Sequence, residues 1–353
     1  MLSREELNKL KRELSECSKP LYLFDDDGDG VAAFIFLYKF KKEGKGVLVK
    51  ARPELNDMFA KIVNNYGPDR VIILDVSSMN KDFKDLVKTP ISWIDHHDPQ
   101  EIKSSLISYY NPRVKNPGEY SPTSLWIYEA LHEGNKELED ASWIAAAGCI
   151  WDHAIPDFID KVEQKYPYLL PDKLDIDLIK YHSPLGKIAR MFYFLTMGAT
   201  VSANRNMKVL TRIKDPKELL EGTTSQGKFL LKNFEKLNKQ YENILHEALK
   251  VTPVENTILF IYSDDKISVT KEIANELSSL NKDKLIIVGR EKSGEFKMSL
   301  RYDENLKRAL EKALENVEGY GGGHEMACGA CVKSRDFDTF LKILKDELGL
   351  RKK

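Results

Sequence analysis

The apolar positions fall into two rhythms. Short runs at residues 20–24, 71–74 and 91–94 each stop on an aspartate: Asp25, Asp75 and Asp95. Runs of that length, bounded by turn residues, read as buried strands of a parallel sheet. Elsewhere the spacing lengthens to that of helices. Leu7, Leu10 and Leu14 share one face of a helix predicted over residues 3–16, and Ser3 and Glu6 stand at the spacing of a capping box. The turn at residues 25–30, Asp-Asp-Asp-Gly-Asp-Gly, leads straight into the apolar stretch 31–37. A strand, a polar glycine-containing turn and a buried helix in succession open a βαβ unit. Further helices are expected at about 123–131, with Ser121 or Thr123 as cap, and at about 141–150, ending at Trp151-Asp152-His153.

Residues 156–250 are rich in Lys, Leu and Tyr and carry helical periodicity, with a loop at 222–227 and one long helix from 228 to 250. Strand signals return at 258–262, 284–288 and 296–300, with helices at 269–280 and 306–314. A glycine-rich loop at 319–324 precedes a closing strand and a final helix. The expected fold class is α/β in three parts: a parallel-sheet domain at 1–155, a helical insert and connector at 156–250, and a smaller α/β domain at 251–353. The active site is expected in the cleft between the first and last of these.

A length of 353 residues suits two or three domains of roughly 100–200 residues each. The net charge of −1 provides no global basic field for nucleic acid. Any such contact would rest on local stretches such as 228–239 or the tail Arg351-Lys352-Lys353, both of which also suit an ordinary solvated surface. Four scattered cysteines, at 17, 149, 328 and 331, are no disulfide framework for this length. The charged start lacks the apolar core of a signal peptide and no run of 18 apolar residues occurs. A cytoplasmic protein with no membrane segment is the expectation.

Polar residues gather where the apolar runs end. Asp27 and Asp29, Asp75, then Asp95-His96-His97 follow predicted strands, and Asp152 follows a predicted helix. The carboxyl ends of parallel strands line one edge of the sheet, so residues remote in sequence meet there. So many aspartates converging require cations. Carboxylates with an imidazole suit Mn²⁺, with Mg²⁺ the alternative. Two ions about 3.5–4 Å apart would activate a water for attack on phosphorus. Asp75 alone would suit a turn former, and residues 25–30 alone a Ca²⁺ loop, but the Glu at the twelfth position and the flanking helices of an EF-hand are missing.

These motifs resemble the DHH phosphoesterase family, which includes RecJ-type exonucleases, oligoribonucleases, cyclic-dinucleotide phosphodiesterases and one class of pyrophosphatases. The resembling segments are Asp27-Gly28-Asp29-Gly30, Asp75 in Ile-Leu-Asp-Val-Ser, Asp95-His96-His97, Asp152 in Gly-Cys-Ile-Trp-Asp, and Gly322-Gly323-His324 of the accompanying second domain. The resemblance implies that Asp29, Asp75, His96 and Asp152 hold one metal and that Asp27 and Asp75 hold the other. It implies that His97 faces the scissile phosphate and that Asp95 orients the histidines. Many members carry a His where this chain has Leu23, and Asp25 stands ready as the substitute.

Gly322 and Gly323 would let backbone N–H groups approach a phosphate that His324 also holds. Arg290 and Arg301, both at predicted strand ends, would face the same cleft and grip a phosphodiester. Cys328 and Cys331, three apart in a predicted strand, point to opposite faces and are not read as zinc ligands. The resemblance is nearest to archaeal RecJ-like nucleases. It implies a Mn-dependent exonuclease releasing nucleoside monophosphates from single-stranded DNA or RNA, with DNA replication or repair as its setting. A replication or repair protein and a second copy of the chain are the protein partners it allows. The alternatives are an oligoribonuclease, a cyclic-dinucleotide phosphodiesterase, or an inactive replication scaffold, the last disfavoured by the intact ligand set.

Overall fold

The computed structural model describes residues 1–50, 54–263, 265–303 and 305–350, so the basic tail lies outside the described residues. The chain divides into two compact units, Met1–Phe234 and Glu235–Lys353. Among the described residues no helix is long and apolar enough to cross a membrane.

The first unit opens with α1 (Arg4–Glu16). Its capping box is formed: the Ser3 hydroxyl accepts from the Glu6 amide and the Glu6 carboxylate accepts from the Ser3 amide. Then come β1 (Pro20–Asp25), α2 (Gly28–Lys41), β2 (Lys45–Val49), β3 (Glu54–Leu55), α3 (Asp57–Tyr66), β4 (Arg70–Leu74), β5 (Ser78–Met79), α4 (Lys81–Leu86), β6 (Ile91–Ile94), β7 (Ile107–Tyr110), α5 (Thr123–Leu131), α6 (Lys136–Asp140) and α7 (Ser142–Trp151). Five strands form a wholly parallel sheet in the order β2-β1-β4-β6-β7, while β3 and β5 pair as a separate two-residue ladder.

Side chains alternate across that sheet. Leu21, Leu23, Val71, Ile73 and Trp93 share a core with Phe59 and Val63 of α3 and Phe83 of α4. On the opposite side of β1, Tyr22 and Phe24 meet Phe34 of α2, the latter pair stacked at 4.1 Å between ring centroids. Helices therefore cover both faces, and the direction of winding reverses at β1, between β2 and β4. Leu23 sits fully buried in the α3–α4 core. At that position the chain invests in packing.

The stretch after α7 is helical throughout: α8 (Ile159–Lys165), α9 (Ile176–His182), α10 (Pro184–Phe194), α11 (Thr200–Leu210), α12 (Pro216–Glu221) and α13 (Ser225–Ala248), with a 3₁₀ turn at Pro167–Leu169. The long helix begins earlier than its sequence suggests, so Gly227 is helical. Its amide is taken by the Thr224 hydroxyl, 3.1 Å away. The division between the two units falls inside α13.

The second unit contains β8 (Thr257–Ser263), α14 (Thr270–Leu280), β9 (Leu285–Lys292), β10 (Glu295–Arg301), α15 (Leu306–Leu314), β11 (Gly319–Gly323), β12 (Ala327–Lys333) and α16 (Phe337–Glu347). Its sheet runs β11-β12-β10-β9-β8, parallel only between β8 and β9. Leu285, Ile287, Met298 and Leu300 pack on Leu306, Leu310, Phe340 and Leu344. Residues 319–323, expected as a loop, are an edge strand. The ladder to β12 overrides the poor strand propensity of four glycines.

Candidate metal centre

Three adjacent strands deliver the site. β1 ends at Asp25, β4 is followed by Asp75, and β6 by Asp95, His96 and His97. Asp75 has a left-handed backbone (φ +62°), unusual for a side chain other than Gly, Asn or Asp. Its backbone N–H donates to the Ile94 carbonyl, which ties the turn after β4 to β6.

His96 Nε2 stands 3.1 Å from Asp75 Oδ1 and 3.2 Å from Asp152 Oδ2. Asp29, His96 and Asp152 each bring one ligand atom within 4.8 Å of the others, and so do Asp25, Asp27 and Asp75, and Asp75, His96 and His97. The structure thus brings together all the residues named from sequence in the first unit. Asp95 meets His97 directly, Oδ1 to Nδ1 at 2.7 Å.

Asp29 is wholly buried and its two oxygens accept the amides of Thr123 (2.6 Å) and Ser124 (3.0 Å). These are the first two residues of α5, whose N-cap is Pro122, with no side-chain cap of its own. The cap expected from Ser121 or Thr123 is instead supplied by a carboxylate 94 residues away, because the proline offers no acceptor side chain. Thr123 Oγ1 reaches Asp75 Oδ1 at 3.2 Å. Asp152 is the C-cap of α7, at the negative end of a helix dipole, a poor place for a carboxylate without a cation.

Two more contacts fix Asp27. Its Oδ1 caps α2 through the amides of Asp29 and Gly30, and its Oδ2 accepts from Trp151 Nε1 at 3.1 Å. Gly28 is required for this: a Cβ there would meet the Trp151 ring at 2.4 Å. The helical stretch braces the same segments. Lys180 Nζ donates to the Trp151 carbonyl at 2.5 Å, Thr196 Oγ1 to the Asp26 carbonyl at 2.7 Å, and Lys50 Nζ to the Gly198 carbonyl at 3.0 Å. Ser124, Lys180 and Thr196 went unnoticed in the sequence; Thr123 was read only as a helix cap, and Trp151 only as the neighbour of Asp152.

The charges are mutually hostile. Burial first, then Asp152 and Asp27, push the Asp29 carboxyl well above the ordinary carboxylate range. Burial and then Asp29, Asp27, Asp152 and Asp25 do the same to Asp75. Burial lowers His96, which keeps its ring neutral and able to ligate. For His97 burial also disfavours the charge, but the hydrogen bond and charge of Asp95 outweigh it and the imidazole is pushed up to about 9. An oxygen-rich, anionic, buried donor set with one neutral imidazole fits divalent cations of the Mn²⁺ or Mg²⁺ type.

In the second unit Gly323 has φ +149°, and a Cβ there would meet the Ala327 carbonyl at 2.3 Å. His324 is exposed in the turn from β11 to β12, its backbone N–H bonded to the Ala327 carbonyl. Gly322 opens onto free space. Arg301 donates to Asn275 Oδ1 at 2.6 Å and to its neighbouring Leu300 carbonyl, and Arg290 to the Lys266 carbonyl at 3.0 Å. The two arginines share the α14 face of the sheet, but β9 and β10 are antiparallel. Arg290 pairs with Lys297 and Arg301 with Ile286, so they stand at opposite ends of that face, roughly 13 Å apart along the strands. Arg301 ends β10 as the sequence suggested, whereas Arg290, expected just past a strand end, lies inside β9. Cys328 lies in the core with Val332, while Cys331 Sγ faces Glu295 on the other side of the sheet. His153 is held on Asp177, 3.3 Å away.

Comparison with known proteins agrees with this architecture. The family model described as "DHH family, N-terminal domain" matches residues 22–173, and that described as "DHHA1 domain" matches residues 255–350. A search of curated proteins by sequence returned no match. Among solved structures the chain is similar to RecJ in complex with Mn²⁺ from Thermus thermophilus (16% identity, 99% of this chain, 56% of that one, TM-score 0.67). It is likewise similar to an exonuclease RecJ bound to manganese (14%, 98% and 95%, TM-score 0.57). A third likeness is to the pGpG-specific phosphodiesterase PggH from Vibrio cholerae (15%, 94% and 99%, TM-score 0.52). The chain spans little more than half of the Thermus RecJ chain. With both family models matched in order and the fold shared, the chain belongs to the DHH family, a DHH phosphoesterase fold of the RecJ type followed by a DHHA1 domain.

Proposed function

We propose that the chain is a metal-dependent exonuclease that hydrolyses single-stranded DNA or RNA to nucleoside monophosphates. The observation that carries this reading is the pair of adjoining ligand groups, Asp29–His96–Asp152 and Asp25–Asp27–Asp75, joined by the contact of His96 with Asp75. One cation fits each group, with Asp75 placed to serve both and Asp25 filling in for the ligand absent at Leu23. The imidazole nitrogen among the oxygens favours Mn²⁺ over Mg²⁺. Divalent ions bound there would supply a hydroxide at neutral pH and neutralise charge on the phosphate.

The chain's own groups do the rest. His97 is 41% exposed at its side chain, open to substrate, and the Asp95 carboxylate on its Nδ1 favours the charged ring. It donates toward the phosphate and stabilises the departing oxygen. Asp95 keeps the proton on Nδ1, so that Nε2 is the atom presented. Tyr120, 58% exposed and edge-on to His96 at 5.5 Å between centroids, offers an aromatic surface beside the site for a nucleobase. Gly322, Gly323 and His324 are assigned to a phosphate of the substrate strand. Arg301 is assigned to the strand as well, and Arg290 to a more distant part of it.

End-labelled DNA and RNA of graded length, incubated with Mn²⁺, Mg²⁺ or EDTA, test this directly. Mononucleotide ladders from long single strands with Mn²⁺, absent with EDTA, are expected. Cleavage confined to di- and trinucleotides would favour the second reading, a short-oligonucleotide phosphodiesterase, to which the likeness to PggH lends support. No cleavage of any of them would remove both. His324→Ala is expected to raise KM by about tenfold or more, the loss of one hydrogen bond to a charged group, with kcat little changed. An unchanged KM would take His324 out of the binding site.

A further inference from the structure

Behind the Asp95–His97 contact lies a second set of groups, contributed by β7 and the residue that follows it. Asp95 is wholly buried and one of its oxygens is used by His97. The other, Oδ2, lies 3.3 Å from the Tyr109 hydroxyl and 3.2 Å from Asn111 Nδ2, and both donate to it. Asn111, 3% exposed, also donates to the backbone carbonyl of His97 at 2.9 Å and to the Tyr109 hydroxyl oxygen at 2.8 Å. Its own Oδ1 accepts from the Arg113 amide at 2.9 Å, which fixes which end of the side chain is the donor. The Tyr109 ring lies on Trp93, 4.3 Å between centroids, and Trp93 is buried in the sheet core. The chain of contacts therefore runs from the rigid core to the His97 ring without a gap.

We propose that Tyr109 and Asn111 are positioning residues for His97. They saturate the free oxygen of Asp95, and Asn111 also pins the His97 backbone. The imidazole is thereby held in one orientation, with its Nδ1–H toward Asp95 and Nε2 toward the substrate side. This rests on the reading of His97 as the residue facing the phosphate. A carboxylate with a single partner can swing between acceptor positions, whereas one gripped at both oxygens cannot, and partners of this kind commonly contribute 10–100-fold to activity. The two protons of the Asn111 amide are shared among three acceptors and so serve two ends at once, the carboxylate and the backbone of its target, which a purely structural amide has no need to do.

A mutant cycle in activity tests the assignment. Tyr109→Phe removes only the hydroxyl and is expected to lower kcat about tenfold, leaving KM and Mn²⁺ affinity unchanged. In a His97→Ala background the same change is expected to cost nothing further, because its effect passes through the missing ring. An equal loss in both backgrounds, or no loss in either, would overturn the proposal. Asn111→Ser provides the same comparison from the other donor. A second readout does not need the reaction. In protein labelled with ¹⁵N-histidine, the Nδ1–H proton of His97, assigned by its absence in His97→Gln, is expected to be protected from exchange and to broaden or vanish in Tyr109→Phe. A spectrum unaltered by Tyr109→Phe sinks the clamp even in an inactive protein. Failure of the wild type to cleave anything would sink the proposed function instead and leave this arm standing.

Discussion

Asp75→Asn is expected to fold normally and to lose phosphodiester cleavage by roughly three orders of magnitude or more, the several kcal/mol that bound cations supply to such a transition state. Asparagine is the informative replacement. The backbone at residue 75 is left-handed, which Asn tolerates, whereas Ala would add roughly 1–2 kcal/mol of strain and confuse loss of charge with loss of fold. The amide oxygen can keep the contact from Thr123 Oγ1, so that the charge is what disappears. Without metal, that charge is repelled by Asp29, Asp27, Asp152 and Asp25. The metal-free variant should therefore melt no lower than the metal-free parent, and gain less from added Mn²⁺. Activity within about tenfold of wild type at saturating Mn²⁺ would exclude Asp75 from serving both cations.

The second large effect is on stability. A carboxyl whose pKa folding raises stabilises the fold only while protonated. Its contribution is whole below the unfolded value, near 3.8, and drains away as pH climbs through the raised folded value. Asp29 and Asp75 are both of this kind, so the metal-free protein is expected to lose stability as the pH is raised above the ordinary carboxylate range. Cations reverse the balance because they bind the ionised forms. Mn²⁺ at 100 times its dissociation constant is worth about 2.7 kcal/mol, and its stabilising effect should grow with pH as binding need no longer displace protons. Melting curves with Mn²⁺ and with EDTA, from pH 5 to pH 8, measure this. A gap that stays constant or narrows as pH rises would mean that these carboxyls are not the ones titrating.

How much of this was written in the sequence depends on where each residue sits. The strands β4 and β6 are central and buried on both faces, and their apolar residues, interrupted inside the strands only by Ser92, led the eye to the aspartates that follow them. The edge strands β2 and β7 carry lysine, glycine, serine and tyrosine, and neither was recognised; with β7 went Tyr109 and Asn111. The segment Gly319–Gly323 looked like a loop because glycine signals turns, yet its pairing with β12 is a tertiary fact. Asp29 was legible as a candidate ligand, but its second duty, capping α5, joins positions 94 residues apart that no local pattern connects. The distance between the two arginines was hidden for a topological reason: β9 runs on past Arg290 to Lys292, and strand direction, which decides whether two positions coincide, leaves no mark in the sequence.

The spread of the ligand set along the chain also dictates when it can exist. Asp27 and Asp152 come from opposite ends of a segment that includes β4, β6 and α7, and Asp29 is fixed only once α5 has docked. No short peptide within this span holds enough ligands in place to trap an ion early, in contrast to domains that fold around their metal. Parallel pairing of distant strands is slow to nucleate. On the proposed reading the ligands assemble in stages: Asp25, Asp27 and Asp75 meet once β1 and β4 have paired, whereas the Asp29–His96–Asp152 group waits for α7, so a nascent chain released before α7 is complete would hold one group and lack the other.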